Sequence, residues 1–562
     1  MEGNTDKLHV RQLVDLCRQN GVRHVVISPG SRSTPLIIAF NRTEGFQTHV
    51  VVDERSASYF ALGIAQRLQE VVAVVCTSGT ALLNYAPAVA EAFYQQIPLL
   101  VISADRPQAW IDQDDSQTIR QQNVFQNCSK AFYQLQEHEG DKENYWYNNR
   151  LINEAFIKLS SGRRGPVQIN VPLKEPLSNV VFTPVTEERL IRRFLPQEML
   201  SDNDLMHLVS TIQNSSKVLI VASIYKPDKK LLSALKSIAS KPNVVVLTES
   251  VSNLTDDLFV NYIDRALSRM DDHERDSLKP EIVISFGGAI ISRQLKQWLR
   301  DSNLKELWYI GKGDNVIDTY KQMTNHIDIE PGSFIDSLSK SLGESNYSDY
   351  STRWDALKMK SDRSHREYLA SIGWSDMKAF ESIMNHLPEA SMVHLSNGTS
   401  VRYHQLFERS NSVLVYSNRG TSGIDGSTST AVGAARVSDQ LTTFITGDIS
   451  FLYDINGLWN ESFPKNMRII VINNNGGGIF RYIPGPTTLT ECERFFETPP
   501  NVDIKSLSRA YGLGYLRASS EAELNEALRV LYSEDRPCIL EIQTPRELND
   551  VILRDYFKYI SK

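Results

Sequence analysis

The chain has 562 residues, 41% of them hydrophobic and 23% charged, a balance that excludes intrinsic disorder and predicts about two to four domains, with three as the first expectation. A formal net charge of −7 gives no global attraction to nucleic acid or to an anionic membrane, so any anionic ligand has to be met by local cations. The opening MEGNTDKLHVRQLV carries no basic region followed by an apolar stretch, and no later segment approaches ~18 uninterrupted apolar residues. A soluble, unexported, cytoplasmic protein is expected. The five cysteines, Cys17, Cys76, Cys128, Cys492 and Cys538, form no CxxC pair, which disfavours a disulfide framework and a structural zinc site.

Short runs rich in Val and Ile recur along the chain, each closed by a Gly, Ser or Asp turn and followed by a helix-like segment, the pattern of βαβ units around parallel sheets. The first series of predicted strands is HVVIS (24–28), VVAVVC (71–76), PLLVIS (98–103) and PVQINV (166–171). From Pro184 to Pro196 the sequence turns charged and unpatterned. A second series follows with KVLIVAS (217–223), NVVVLTES (243–250), EIVISFG (281–287) and ELWYIG (306–311). GESNYSDYSTRWD (343–355) has the composition of a linker leading into a helical segment. The third series is MVHLS (392–396), VLVYSN (413–418), LTTFITGD (441–448), RIIVINN (468–474) and CILEIQT (538–544). The expected fold class is therefore α/β, with three successive doubly wound domains around parallel sheets, at 1–183, 190–345 and 365–562.

The most specific signal is GDISFLYDINGLWNESFPKNMRIIVINNNGGGIF, from Gly447 to Phe480, which opens at a predicted strand end and reaches Asn474, 26 positions after Asp448, at the end of the next. A hard divalent cation takes oxygen ligands, and an Asp carboxylate, an Asn amide oxygen and a backbone carbonyl on adjacent loops supply three of about six. Glycines at 476–478 let backbone approach a phosphate ester, and the helix after Asp448 would turn its N-terminal amides to the anion. Each half alone is a common turn; both halves on strands at this separation are not.

This spacing resembles the GD…NN cofactor motif of thiamine-diphosphate enzymes. The resemblance implies Mg²⁺ (or Mn²⁺) bound by Asp448, Asn474 and the Gly476 carbonyl, with Ile449, Ser450, Gly477, Ile479 and Phe480 also at the cofactor. Ile449 stands where the wider superfamily usually has Gly. A second segment, VVDERSASYFALGIA (51–65), would by itself be a helix whose first turn carries a carboxylate. In thiamine-diphosphate enzymes one Glu at this point hydrogen-bonds the pyrimidine ring, and Glu54 matches it, as the implied catalytic residue that activates the cofactor.

ISPGSRSTPL (27–36), the stretch from Thr77 to Pro107, SQTIRQ (116–121) and YSNRGTSGIDGSTSTAVG (416–433) all lie at or just after predicted strand ends. Together with NNNGGGIF they resemble the 2-succinyl-5-enolpyruvyl-6-hydroxy-3-cyclohexene-1-carboxylate synthase family of menaquinone biosynthesis, over nearly the whole chain and least in the middle. The resemblance implies a transferase that decarboxylates 2-oxoglutarate and adds the remaining acyl carbanion to isochorismate. Both substrates carry two carboxylates, for which Arg forks are the natural partners. Ser31, Arg32, Gln117, Arg293, Arg402 and Arg419 match substrate-contacting positions. Ile424 matches the apolar wedge that bends the cofactor, and Ile479, Phe480 and Ile483 match the pocket wall.

Some positions stay open on the same footing. Arg106 either contacts substrate or braces its loop against Asp105. The family pairs the Arg at 293 with a preceding Lys, and Ser292 stands there instead. His394 and His404 are expected to be structural. The middle domain shows no GxGxxG; its FGGAI (286–290) is a weak glycine signal and gives no positive sign of the flavin that relatives such as acetolactate synthase bind there. A competing reading is another thiamine-dependent 2-oxo acid decarboxylase or an acetolactate-synthase-like enzyme, against which the number of arginines argues. The resemblance also implies a homodimer or a dimer of dimers with shared active sites.

Overall fold

In the computed structural model the described residues are 3–183, 187–195, 198–344, 348–461, 463–483 and 485–562. Three parallel sheets carry the chain. The first runs, edge to edge, Gln47–Val50, His24–Ile27, Val72–Cys76, Leu99–Asp105, Val167–Pro172 and Phe132–Gln134. In the second, Val244–Thr248, Val218–Ala222, Ile282–Phe286, Glu306–Ile310 and Asn325–Ile327 follow one another. The third is Leu414–Ser417, Met392–Leu395, Thr442–Gly447, Met467–Asn473, Cys538–Gln543 and Gly514–Ala518. Strands such as Val72–Cys76, Leu99–Asp105 and Val218–Ala222 are buried along their whole length, which is why they stand out in sequence as unbroken apolar runs rather than alternating ones.

The first and third sheets share one strand order. In each, the strand that comes first in the chain is flanked on one side by the second and on the other by the third, so the winding reverses between His24–Ile27 and Val72–Cys76, and again between Met392–Leu395 and Thr442–Gly447. Ligands of open α/β sheets bind at such reversal points, beyond the carboxyl ends of the strands. Ser31 and Arg32 follow the first strand of one pair, and Asp448 follows the second strand of the other.

The backbone packs as two compact units. One holds residues 1–195, 418–441 and 450–467, with the first sheet; the other holds 196–417, 442–449 and 468–562, with the second and third sheets. Two stretches, the charged one and the expected linker, are more ordered than their composition suggests. Pro184 and Pro196, the ends of the charged stretch, lie outside the described residues, but Glu188 between them is buried. Its backbone N–H donates to Asp15 (2.8 Å), and its carboxylate accepts from Tyr145 (2.6 and 2.7 Å) and Gln12 (3.1 Å). In the second, helix Tyr350–Ser371 begins inside the polar stretch, because Tyr350 and Trp354 insert into the core beneath the second sheet.

Within the first unit, helix Glu54–Leu68 crosses helix Ser427–Arg436 at two glycines. A Cβ on Gly63 would stand 2.0 Å from the carbonyl oxygen of Thr430, and one on Gly433 would stand 2.1 Å from that of Phe60. The small residues of SASYFALGIA and STSTAVGAA are thus the condition for backbone-to-backbone contact, not a propensity effect. Gly63→Ala or Gly433→Ala is expected to cost about 3 kcal/mol, the upper end of the usual overpacking penalty, because the obstruction is rigid backbone. Thermal unfolding of either variant beside the parent protein checks this.

Candidate active site

Glu54 opens its helix as the first residue after the cap, Asp53, whose carboxylate accepts the Ser56 N–H at 3.1 Å and the Asn456 amide at 2.7 Å. The cap fixes where the helix starts, and therefore where Glu54 points. Glu54 follows strand Gln47–Val50 by a short turn, which places it at the carboxyl end of the first sheet. Burial raises its pKa above the ordinary carboxylate value. No side chain among the described residues hydrogen-bonds it, which leaves a partly desolvated carboxyl group able to serve an incoming ring.

The loop Asn418–Gly426 belongs to the same unit and is held at several points. Glu91, in helix Ala86–Gln95 and 1% exposed, accepts the backbone N–H of Gly420 (2.7 Å), the N–H of Thr421 (2.7 Å) and the Thr421 hydroxyl (2.6 Å). Gly420 has to be glycine here, since a Cβ would stand 2.7 Å from the Glu91 carbonyl oxygen. Further on, Tyr59 donates to Asp425 at 2.7 Å, and Gly426, at φ +77°, lies against the Tyr59 ring. Ser450 donates its hydroxyl to the Ile424 carbonyl at 3.1 Å. Arg419, buried, and Ile424 are therefore presented by a loop fixed on both sides.

Arg32 is buried and bonds the Leu173 carbonyl (2.9 Å) and Glu175 (3.0 Å), whose side chain is largely exposed. The Arg106 side chain braces its loop through Asp115 (2.6 Å) and the Ser116 carbonyl (3.2 Å) rather than through Asp105, whose carboxylate accepts the Arg106 backbone N–H and the Asn170 amide. Gln117, at φ +55°, has its backbone against Gly79, where a Cβ would meet its carbonyl oxygen at 3.3 Å.

In the other unit, Asp448 follows strand Thr442–Gly447 directly and is 1% exposed. Its two oxygens accept the N–H groups of Ile449 and Gly476, each at 2.8 Å. Burial, reinforced by the charge of Asp376, pushes its pKa up to about 7. Gly476 has φ +136° and its N–H points at Asp448, while its carbonyl accepts Gly478 N–H at 2.9 Å. Asn474 donates its amide N–H to Asp376 at 2.9 Å, which leaves the amide oxygen for another partner. A buried carboxylate with no cation among its bonding partners, an oriented amide oxygen and a glycine carbonyl fit a hard divalent ion completed by phosphate oxygens. Among the described residues no three His, Cys, Asp or Glu side chains converge elsewhere as a metal cluster.

Gly477 donates to the Glu497 carbonyl at 2.7 Å, and a Cβ on it would press on Phe480 and on the Phe496 carbonyl, each at 3.0 Å. Glu497 is itself clasped by Arg481 (2.9 Å) and Arg546 (2.7 Å), which holds the segment 492–497 over the glycine run. Ile479, Phe480 and Ile483 are half-buried beside it. Arg293 heads helix Arg293–Arg300, and its charge, after burial, helps to lower the pKa of Arg402. Ser292 caps that helix by accepting the Leu295 N–H (3.0 Å) and donates its hydroxyl to Asp264, so the position of the expected Lys is filled by a neutral cap facing a half-buried carboxylate. Asp264 in turn counters Arg402. His394 stacks on Tyr416 (5.2 Å between centroids), and His404, fully buried, has its pKa lowered to about 3 by desolvation. The FGGAI glycines serve close packing: a Cβ on Gly287 would stand 2.8 Å from the Ile224 carbonyl oxygen.

Two residues of this arrangement escape motif reasoning. Glu91 had a signal, a single charge in the buried stretch APAVAEAFY. Asp376 had none beyond a Ser-Asp helix start. Glu91→Ala strands two backbone N–H groups and a hydroxyl, and is expected to destabilise the first unit by about 2–4 kcal/mol, seen as a lower denaturant midpoint for that unit.

The chain matches three family models: "Thiamine pyrophosphate enzyme, N-terminal TPP binding domain" over residues 9–130, "Middle domain of thiamine pyrophosphate" over 191–395, and "Thiamine pyrophosphate enzyme, C-terminal TPP binding domain" over 397–542. Among curated relatives, the 2-succinyl-5-enolpyruvyl-6-hydroxy-3-cyclohexene-1-carboxylate synthase of Porphyromonas gingivalis is 43% identical over 567 residues, covering 99% of this chain and 98% of its own. That of Flavobacterium johnsoniae is 43% identical, with 98% of each chain covered, and that of Bacteroides thetaiotaomicron is 36% identical, covering 99% of this chain and all of its own.

Proposed function

The chain belongs to the 2-succinyl-5-enolpyruvyl-6-hydroxy-3-cyclohexene-1-carboxylate synthase family of thiamine-diphosphate-dependent transferases, and from that premise we propose that it decarboxylates 2-oxoglutarate and joins the remaining four-carbon unit to isochorismate in menaquinone biosynthesis. The observation that carries the reading is the Gly476 N–H bound to the buried Asp448 carboxylate beside the reversal point of the third sheet, with the Asn474 amide held by Asp376 two residues earlier. When bound, thiamine diphosphate supplies the electron sink for loss of CO₂ and for transfer of the acyl carbanion.

The residues divide the remaining work. Asp448, Asn474 and the Gly476 carbonyl would hold Mg²⁺ or Mn²⁺, with Ile449, Ser450 and Gly477 lining the diphosphate. Glu54 would hydrogen-bond the pyrimidine ring, where its raised pKa suits a carboxyl group that shares a proton with a ring nitrogen. Ile424 would support the bent cofactor, and Ile479, Phe480 and Ile483 would exclude water. Arg32, Arg293, Arg402 and Arg419, with Ser31 and Gln117, would bind the substrate carboxylates. Arg106, tied to Asp115, would shape the loop that carries Gln117. The neutral Ser292, bonded to Asp264, leaves Arg293 and Arg402 without the extra Lys the family pattern has at 292.

The chain would divide into three domains at 1–183, 190–345 and 365–562, and the active form would be a homodimer or a dimer of dimers. No helix among the described residues is long and apolar enough to cross a membrane, in keeping with a cytoplasmic site of action on small molecules.

Mass spectrometry of a reaction with thiamine diphosphate, Mg²⁺, 2-oxoglutarate and isochorismate, with pyruvate as competing donor, is expected to give an adduct that requires the first two substrates together. CO₂ from pyruvate with no isochorismate adduct would reassign the substrates. Glu54→Gln should lose most turnover, on the order of 10²-fold or more as for a missing proton-transfer group, while still binding the cofactor. Full activity in that variant removes Glu54 from its role.

A further inference from the structure

The amide of Asn474 is useful to a cation only when its oxygen, not its nitrogen, faces the ion. Nothing in the Asn side chain itself favours one orientation, since the two ends are nearly the same size. Its partner decides. Asp376, 1% exposed, is the first residue of helix Asp376–His386, and its Oδ2 accepts from the Asn474 amide N–H at 2.9 Å. A carboxylate only accepts, so it selects the amide nitrogen and turns the oxygen away.

Asp376 is in turn fixed on every side. Its Oδ1 accepts the Thr544 hydroxyl at 2.6 Å, and its backbone N–H donates to the Asn549 side chain at 2.8 Å. The Thr544 backbone N–H donates to the Asn473 carbonyl at 3.2 Å, so the same short network ties down the residue just before Asn474. Three chain segments, at 376, 473–474 and 544–549, thus meet around one carboxylate that contributes nothing to the oxygens of the proposed cation site. We propose that Asp376 is a positioning residue that holds the Asn474 amide oxygen in the ligating orientation. The proposal rests on the metal role of Asp448 and Asn474 put forward above. The arrangement parallels metal-bound histidines whose second nitrogen is fixed by a carboxylate, where loss of the outer partner costs about 10- to 100-fold in metal affinity.

The test is Mn²⁺ binding to the thiamine-diphosphate-loaded protein, followed by electron paramagnetic resonance and independent of turnover. Asp376→Asn can offer its own N–H to Asn474 and so admit the flipped amide. It is expected to raise the Mn²⁺ dissociation constant about 10- to 100-fold, with turnover recovering at saturating metal. The exchange variant Asp376→Asn with Asn474→Asp restores one amide facing one carboxylate, and should regain most of the lost affinity. Unchanged Mn²⁺ affinity in Asp376→Asn overturns the proposal. Should that variant fail to fold, Thr544→Val, which frees one Asp376 oxygen and keeps its contact with Asn474, is expected to weaken Mn²⁺ roughly 3- to 10-fold, and unchanged affinity there overturns it equally. Asp448→Asn is the control. If it too binds Mn²⁺ as the parent does, the metal reading of the site fails; if it alone loses Mn²⁺, only the role of Asp376 fails.

Discussion

A carboxylate taken out of water without a cation is costly, and Asp448 is such a group. It directly follows a central strand, it is almost wholly buried, and the donors that reach it among the described residues are two backbone N–H groups, from Ile449 and Gly476. Those bonds do not offset the desolvation, which is why its pKa is pushed up to about 7, with Asp376 adding to the strain. Much of the surrounding backbone is organised by this group. Gly476 adopts φ +136° and turns its N–H to Asp448, Gly477 is bonded to the Glu497 carbonyl, and Arg481 and Arg546 neutralise Glu497 so that its segment can lie over the loop.

The first unit solves a different problem, the presentation of side chains from loops. Its answer is again backbone bonded to carboxylates. Asp53 fixes the start of the Glu54 helix, Glu91 gathers the N–H groups after Arg419, and Asp454, buried, accepts the Ser429 N–H and hydroxyl at 2.7 and 3.0 Å. None of these three would face a substrate. Their work is to make the positions of Glu54, Arg419 and Ile424 independent of what is bound, the condition for a site whose groups need little reorganisation during reaction.

The central strands of all three sheets were legible in the sequence because burial on both faces writes itself as continuous Val and Ile. The strands that escaped, QTHV, FYQ, NHI and GYLRA, are all sheet edges, short and partly polar, where one side lacks a neighbour and the apolar demand is weaker. Among the candidate site residues, the paired halves of the GD…NN motif stood out in sequence because each sits just beyond a strand end. The supports were not. Asp376 lies 72 positions before Asp448, and its bond to Asn474 exists only once three segments have met. The meaning of Ser292 was equally hidden, since its role depends on Asp264, which no local pattern connects to it.

The chain does not finish its first unit in its first third. The face of helix Glu54–Leu68 that carries Gly63 is covered by residues 427–436, and residues 450–467 return to the same unit after three strands of the third sheet have been laid down. A ribosome at about 5–20 residues per second therefore releases that face well over ten seconds before its cover emerges. During that interval the nascent chain displays a smooth, small-residue helical groove to whatever else is in the exit environment. Delivery of the covering helix is then a long-range closure, whose entropic cost falls on completing the first unit.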